Sequence, residues 1–339
     1  MAAEGAGEGR RHRPATGVWL VGLSMALGVL VTLSACATSA KGGDPALPAG
    51  FEDLGMPDVD TNALFYARAA MPVDIPLGVF GATDLVAGAS VVSVESLVND
   101  PDREYAVRVE FVDEATAQDV GDVALSVVGD DTTRWARVDG RFVIAGRADT
   151  AWGDDVRDAW AGGDRVTIAE RYPGVWETAR LLPEDPPSPP VAVGFARNVS
   201  DLLDATLAAT AVSLPGMASA LSLIRADVIA FAAYAADPSG LPERLTRDAL
   251  RESGIGVIGV SQAGYPGFVV GFLFDQFAET AGLEETEFGG TDALYRVVEG
   301  DLHLMVKAYG STIYLFAAPT RAGAEALVLA VVRSQETRS

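Results

Sequence analysis

The sequence LPEDPPSPP, residues 182–190, divides the chain into two stretches with similar patterns. Five of its nine residues are proline, which lacks a backbone N–H and neither continues a helix nor occupies the interior of a sheet. Closely spaced prolines favour an extended conformation. We therefore predict a linker at 182–190, between a first folded unit at 59–181 and a second at 191–335.

The sequences on the two sides of this linker resemble each other in order. ALFYAR (63–68) matches VAVGFAR (191–197), DLVAGASVV (84–92) matches DVIAFAA (227–233), and YAVRVEFVD (105–113) matches GFVVGFLFD (267–275). These matches predict an internal duplication. The alternative is a chance similarity of hydrophobic patterns.

The hairpin WARVDGRFVI (135–144), whose Asp-Gly pair favours a tight turn, has two candidate matches in the second half. One is YRVVEGDLHL (295–304) and the other is VKAYGSTIYL (306–315). The second match keeps the order of hairpin then helix, with helices predicted at 154–160 and 321–332. We prefer it, and it gives the second half one extra strand.

Each half then consists of a strand, a link, two strands, a helix, a hairpin and a helix. Short β-branched or aromatic runs, such as 91–94, 107–112 and 267–274, are typical of strands. Runs of strands followed by helices favour the α+β class. We predict two related units, each with a mainly antiparallel sheet and helices packed on one face.

A long apolar segment at 201–224 has only a short counterpart in the first half, around 75–82. Ser200 can cap its start, and Pro215-Gly216 must interrupt it. It either packs dry against the second sheet, as we expect, or covers a ligand cavity. The residues expected to pack are Leu202, Leu203, Leu207, Val212, Leu221 and Ile224.

The N-terminal segment has the pattern of an export signal. Arg10, Arg11 and Arg13 precede an uncharged apolar run at 17–33, which ends in Leu33-Ser34-Ala35-Cys36. An aliphatic residue, two small residues and a cysteine resemble the lipobox of bacterial prolipoproteins. The resemblance implies cleavage before Cys36 and attachment of diacylglycerol, with palmitate-type chains, to its thiol. A plain cleaved signal and an uncleaved membrane anchor are the alternatives.

On this resemblance, residues 1–35 form the signal peptide and the small, polar residues 36–58 form a flexible tether. Two or more acyl chains hold a protein durably on a membrane. The implied location is therefore the cell membrane, with the protein anchored by lipid on the extracytoplasmic face.

The charge of the chain restricts its partners. Without the three arginines and two glutamates of the signal, the 25 basic and 47 acidic residues become 22 and 45, a net charge of about −23. Such an acidic protein is poorly suited to nucleic acid. Cys36 is the only cysteine, so its lipidation leaves no thiol for a disulfide, a metal ion or catalysis.

Candidate catalytic residues are few. His303 is the only histidine after the signal, and we expect it on the wetter side of a strand, opposite Leu302, Leu304 and Val306, and dispensable. Ser261, in GVSQAG (259–264), fails the G-x-S-x-G spacing of a hydrolase nucleophile.

The remaining candidates are acidic clusters, which serve acid–base or calcium chemistry elsewhere but occur freely in so acidic a chain. They are Asp113-Glu114, Asp154-Asp155 and Glu284-Glu285-Glu287. We expect core packing from the aromatic residues Trp135, Trp152, Trp160 and Trp176. We predict no catalytic residue, no metal site and no cofactor.

The sequence thus favours a non-enzymatic, lipid-anchored envelope protein with a binding or structural role, whose protein or ligand partner it does not identify. A carrier of an apolar ligand such as a lipid is the first alternative. A hydrolase that uses two carboxylates is the second, and it would need two acids within about 5–9 Å in one cleft.

Overall fold

The computed structural model describes residues 54–60, 62–75, 89–100, 104–129, 132–148, 150–183, 186, 188, 190–199, 217–234, 256–288, 290–298 and 302–338. This part of the chain forms fourteen strands and seven helices. The strands are β1 (Gly55–Pro57), β2 (Phe65–Ile75), β3 (Ala89–Asp100), β4 (Glu104–Phe111), β5 (Arg134–Asp139), β6 (Phe142–Arg147), β7 (Arg165–Thr167), β8 (Pro190–Arg197), β9 (Val228–Tyr234), β10 (Gly256–Gln262), β11 (Glu284–Phe288), β12 (Thr291–Val298), β13 (Leu302–Tyr309) and β14 (Thr312–Ala318). The helices are α1 (Glu114–Val128), α2 (Trp152–Gly162), α3 (Ile168–Arg171), α4 (Pro173–Ala179), α5 (Met217–Leu223), α6 (Gly267–Ala281) and α7 (Arg321–Arg338).

Twelve of the strands form one antiparallel sheet, in the order β11-β12-β13-β14-β10-β9-β8-β2-β3-β4-β6-β5. The α+β class is therefore confirmed. A difference from the sequence prediction is that strands from both sides of the linker share this sheet, because β2 pairs with β8. The sequence contains the strands of each half but does not show which sheet edges meet.

Helices cover both faces of the sheet, so the prediction of helices on one face is wrong. On the first face, α1, α5 and α6 join one apolar cluster with the sheet. On the second face, α2, α3, α4 and α7 join another. Strands covered on both sides alternate between the two clusters: Phe65 and Ala67 belong to the first, and Tyr66 belongs to the second.

Aromatic rings tie the two halves together at the β2–β8 junction. On the first face, Phe65 of β2 stacks on Phe231 of β9, with ring centroids 5.9 Å apart. Gly194 of β8 lies between them, and a Cβ there would stand 2.5 Å from the Phe231 ring. On the second face, Tyr66 packs against Phe195 at 6.2 Å. The junction is thus part of the core.

A small two-stranded sheet lies on the second face, where β1 pairs antiparallel with β7. Leu54 and Met56 are fully buried there. The predicted tether at 36–58 therefore extends too far, since residues 54–57 already belong to this small sheet and its buried core. The alternation of apolar Leu54 and Met56 with small Gly55 is a three-residue signal, too short to indicate a strand in the sequence.

The run at 267–274 belongs to helix α6 rather than to a strand, which corrects the sequence prediction. The third strand of the second half is instead β10. Pro266 lies at the N-cap of α6, where its missing N–H costs no hydrogen bond. Val270, Phe277 and Ala281 are buried at helical spacing.

The described elements occur in the same order in the two halves. The first half runs β2, β3, β4, α1, β5, β6, α2 once β1, β7, α3 and α4 are set aside. The second half runs β8, β9, β10, α6, β13, β14, α7 once α5, β11 and β12 are set aside. The second half has two additional strands, not one. Both final hairpins turn through two residues that include a glycine with positive φ, Gly140 (56°) and Gly310 (61°).

Candidate functional site

Several predictions fall on residues outside the described part of the chain. Cys36, the signal peptide and most of the tether lie there, so lipidation stays a prediction. Leu202, Leu203, Leu207 and Val212 also lie outside it. Of the expected packing residues, Leu221 and Ile224 are described, and both are buried in the cluster of the first face beside α6.

His303 lies on β13 with the predicted alternation. Leu302, Leu304 and Val306 join the cluster of the first face, and His303 points to the second. Its Nδ1 lies 2.7 Å from the hydroxyl of Tyr295, and the two rings stack with centroids 5.9 Å apart. These contacts give His303 a structural role in the strand.

Ser261 is fully buried at the end of β10. Its hydroxyl donates a hydrogen bond to the carbonyl oxygen of Val228, at 2.6 Å. A nucleophile must reach its substrate, and this hydroxyl is enclosed in the sheet. The GVSQAG sequence is therefore a strand end, as predicted.

Two of the predicted acidic pairs stand at helix starts. Asp113 caps α1 by accepting a hydrogen bond from the N–H of Thr116, at 2.7 Å. This bond lowers the pKa of Asp113. Asp154, in the first turn of α2, forms an ion pair with Arg157 at 2.5 Å. Among the described residues, no group of three or more histidine, cysteine, aspartate or glutamate side chains is arranged to hold a metal ion.

The four tryptophans pack as expected. Trp152 and Trp160 of α2 are buried in the cluster of the second face. Trp135 and Trp176 are half-buried and contact the same cluster. Their role is to anchor α2, α4 and β5 to the second face of the sheet.

A buried carboxylate that sequence analysis missed lies on β3. The side chain of Glu95 is 2% exposed. Both oxygens accept from the guanidinium of Arg165 on β7, with Nη2 2.6 Å from Oε2. Arg108 of β4 donates to Oε2 at 3.0 Å, and the hydroxyl of Tyr66 lies 2.7 Å from Oε1.

This network has a structural consequence. Arg165 also donates to the carbonyl oxygen of Gly55 at 2.7 Å, so it joins both strands of the small sheet to the large one. Burial alone raises the pKa of Glu95, but hydrogen bonds and charges from Arg165, then Tyr66 and Arg108, lower it to about 2. Burial, together with the negative charge of Glu95, raises the pKa of Tyr66. The network is thus a fixed ionic contact within the core.

The concave feature that stands out is a groove on the first face, between α6 and the end of the sheet formed by β11, β12 and β13. It has a volume of about 570 Å³ and is open to solvent. Its apolar surface comes from Phe274, Ala278, Leu283, Leu294, Val306 and Ala308. The volume falls within the range of about 300–1,000 Å³ that is usual for small-molecule sites.

The groove lies along the side of α6 that carries Gly267 and Gly271. At Gly267, a Cβ would stand 2.8 Å from Cα of Gly310 in the β13–β14 turn, so the helix start touches the hairpin. One turn later, a Cβ on Gly271 would meet nothing within 4 Å. In the first half, by contrast, a Cβ on Gly121 of α1 would stand 2.0 Å from Val138 of β5. At this point α1 therefore packs closely on β5.

Carboxylates surround the groove. Asp275 and Glu279 lie one turn apart on α6, and Glu285 and Asp292 lie on β11 and β12. All four are exposed, and none forms a salt bridge within the described residues. Glu285 belongs to an acidic cluster that the sequence analysis considered. The other three carboxylates do not form a cluster in the sequence, because Asp275 and Asp292 are 17 residues apart.

One basic residue lines the groove. Lys307 donates from Nζ to the carbonyl oxygen of Asp292 at 2.6 Å, and Nζ lies 5.2 Å from the centre of the Tyr309 ring. Burial lowers the pKa of Lys307, and the charge of Asp292 opposes this shift. With one ammonium group against four carboxylates, the groove keeps a negative balance.

Two aromatic side chains extend the apolar surface outside the groove. Phe268 and Phe272 are one turn apart on α6 and are 82% and 83% exposed. Exposed residues of this size on one helix face indicate a contact surface. Phe272 lies three residues and Phe268 seven residues before Asp275, and this spacing places both on the same side of α6 as that groove residue.

Comparison with known protein families, curated proteins and solved structures finds no match. Within the ranges described above, every helix is too short or too polar to cross a membrane.

Proposed function

We propose that this protein is a lipid-anchored binding protein of the extracytoplasmic face, which holds a small amphipathic ligand in the groove without catalysing a reaction. The groove is the observation that carries the proposal. It combines an apolar lining with charged groups at its rim, which is the usual composition of a ligand site.

A carboxylate-dependent hydrolase is the second candidate, because the groove brings four carboxylates together. A carboxyl group acts as a general acid near neutral pH when burial disfavours its ionised form. All four groove carboxylates are exposed, which favours binding over catalysis. Release of product from a panel of glycosides, lost in Glu285→Gln, would move the hydrolase to first place.

The binding site is tested by extracting the purified full-length protein with organic solvent and identifying bound molecules by mass spectrometry. Gly271→Leu should place a side chain in the open space of the groove and exclude the ligand. Gly271→Ala adds one methyl group and serves as the matched control. A molecule retained equally by both variants would contradict binding in the groove.

The anchoring is tested at Cys36. The mature protein should begin at a lipid-modified Cys36 and fractionate with membranes, and Cys36→Ala should fail lipidation and be released or accumulate as precursor. Mass spectrometry of the mature N-terminus decides between the outcomes. An unmodified cysteine, or unchanged membrane attachment of Cys36→Ala, would refute the anchor.

We also infer that the two halves arose by duplication. The shared element order, the placement of α1 and α6 on one face and of α2 and α7 on the other, and the glycine turns at Gly140 and Gly310 support this inference. The groove then belongs to one half only, because α1 packs closely on β5, whereas Gly271 of α6 faces open space.

A further inference from the structure

We infer that the groove selects an organic cation with an apolar body. The inference rests on the proposed binding function and adds the chemical class of the ligand. The apolar residues between α6 and the sheet provide the contact for a hydrocarbon or aromatic group. The charges at the rim determine which head group can accompany it.

The rim presents two walls of negative charge. Asp275 and Glu279 form the wall on α6. Glu285 pairs in register with Leu294, which belongs to the cluster of the first face, so Glu285 and Asp292 form the wall on the sheet. A cation in the groove would have carboxylates on both sides.

These carboxylates are available to a ligand. Every salt bridge within the described ranges lies elsewhere, and the ammonium group of Lys307 is bound to a main-chain carbonyl. An anionic ligand would place its charge among four carboxylates and a single ammonium group, which is unfavourable. An uncharged ligand would gain only the apolar contact.

The exposed pair Phe268 and Phe272 fits the same ligand class. Aromatic rings attract organic cations through their faces, and they also cover apolar chains that extend beyond the groove. The exposed rings of Phe268 and Phe272 therefore favour both the cationic head group and the apolar body of the ligand.

The experiment compares three probes with the same ten-carbon chain: decyltrimethylammonium, decyl sulfate and decyl maltoside. Binding to the full-length protein is measured by calorimetry, with each probe below its micelle-forming concentration. We expect the cation to bind at least about tenfold more tightly than the anion, and to lose affinity as salt rises.

Variants separate a local effect from the net charge of the protein. The double variant Asp275→Asn/Glu285→Gln should weaken the binding of decyltrimethylammonium about tenfold and leave the affinity for decyl maltoside unchanged. The matched control is Glu114→Gln/Asp119→Asn, which removes two exposed carboxylates of α1. It should change neither the affinity for the cation nor the affinity for the maltoside. Gly271→Leu should abolish binding of all three probes, and circular dichroism against Gly271→Ala checks that it folds.

Two results overturn the inference in different ways. Equal affinities for the three probes, blocked by Gly271→Leu, would refute cation selection and leave the groove as the binding site. Cation selection by the groove would also be refuted if the α1 control variant weakened cation binding as much as the groove variant does. No binding of any probe, or binding unaffected by Gly271→Leu, would refute both the inference and the proposed function.

Discussion

Glu95 shows how one buried carboxylate joins distant parts of the chain. It sits on β3 between Arg108 of β4 and Arg165 of β7, and it is 70 residues from the latter. Its negative charge offsets the cost of burying the two guanidinium groups, and these in turn satisfy both of its oxygens. Removing one member of such a network leaves the others buried and unpaired.

We predict that Glu95→Gln lowers the free energy of unfolding at pH 7 by about 3–5 kcal/mol. The folded-state pKa of about 2 lies below the ordinary value of 4.5, so the stabilisation by Glu95 is present above pH 4.5 and is lost as the pH falls towards 2. Urea unfolding between pH 7 and pH 2 measures both effects.

Glu284→Gln, at an exposed position on β11, is the control for this substitution and should change stability by less than about 0.5 kcal/mol. If wild type and Glu95→Gln had the same dependence on pH, the ionised network would not stabilise the fold.

Single residues were predictable from sequence where a simple period governs them. The alternation of Leu302, Leu304 and Val306 with His303 indicated their two faces correctly. The same alternation places Glu95 beside Ser93 and Leu97, on the side of β3 opposite Val94, and these neighbours indicate no ionic partner. Because the sheet is covered on both sides, that face is buried, and only the structure reveals the ionic network.

At the scale of elements, helix α6 explains the main error of sequence analysis. The run FVVGFLF (268–274) is apolar throughout, so it contains no polar positions that could distinguish a period of 3.6 from a period of 2. Its β-branched and aromatic residues favour a strand locally. Packing against α5 and the sheet overrides that preference, with Phe277 and Val270 buried.

Two glycines in the paired helices should respond in opposite ways to the same substitution. Gly271→Ala should raise the free energy of unfolding by about 0.5–1 kcal/mol, because its Cβ enters open space and alanine favours a helix. Gly121→Ala should lower it by about 1–3 kcal/mol, because Val138 occupies the position of the Cβ.

Chemical denaturation of the two variants under the same conditions tests the difference between the helices. Equal changes would mean that α6 packs on the sheet as closely as α1 does, and that no open groove exists in solution.

The contact of α5 with α6 gives a third prediction. Leu221 is 1% exposed, so Leu221→Ala should destabilise the protein by about 2–5 kcal/mol, as core truncations do. Leu125→Ala on α1, where the leucine is 46% exposed, is the matched control and should cost far less. A small effect at Leu221, measured by thermal and urea unfolding, would indicate that α5 is not part of the folded core.

At the scale of the whole molecule, the order of elements was largely predictable and their assembly was not. Hydrophobic runs and turn residues indicated the strands, the hairpins and the α+β class. The joining of both halves in one sheet depends on β2 and β8, whose sequences would suit either an edge or a central strand. The groove depends on a gap between elements, which no local pattern encodes.

The continuous sheet predicts how the second half behaves alone. A fragment of residues 190–338 would expose the edge of β8, with Val193 and Phe195, which are buried in the whole chain. Since exposed edges pair with other strands, we expect the fragment to dimerise or aggregate. Light scattering after gel filtration measures its mass, and a stable monomer would contradict this expectation.

The antiparallel pairing of β2 with β8 is compatible with two-fold symmetry, as between identical protomers whose sheets meet edge to edge. Such a dimer must carry every groove twice, because both protomers share one sequence. A fused chain is free of that constraint, so selection can act on each half separately. On the duplication inferred above, the close contact of α1 with β5 and the open space beside α6 are two different outcomes, and the proposed ligand groove belongs to the second half alone.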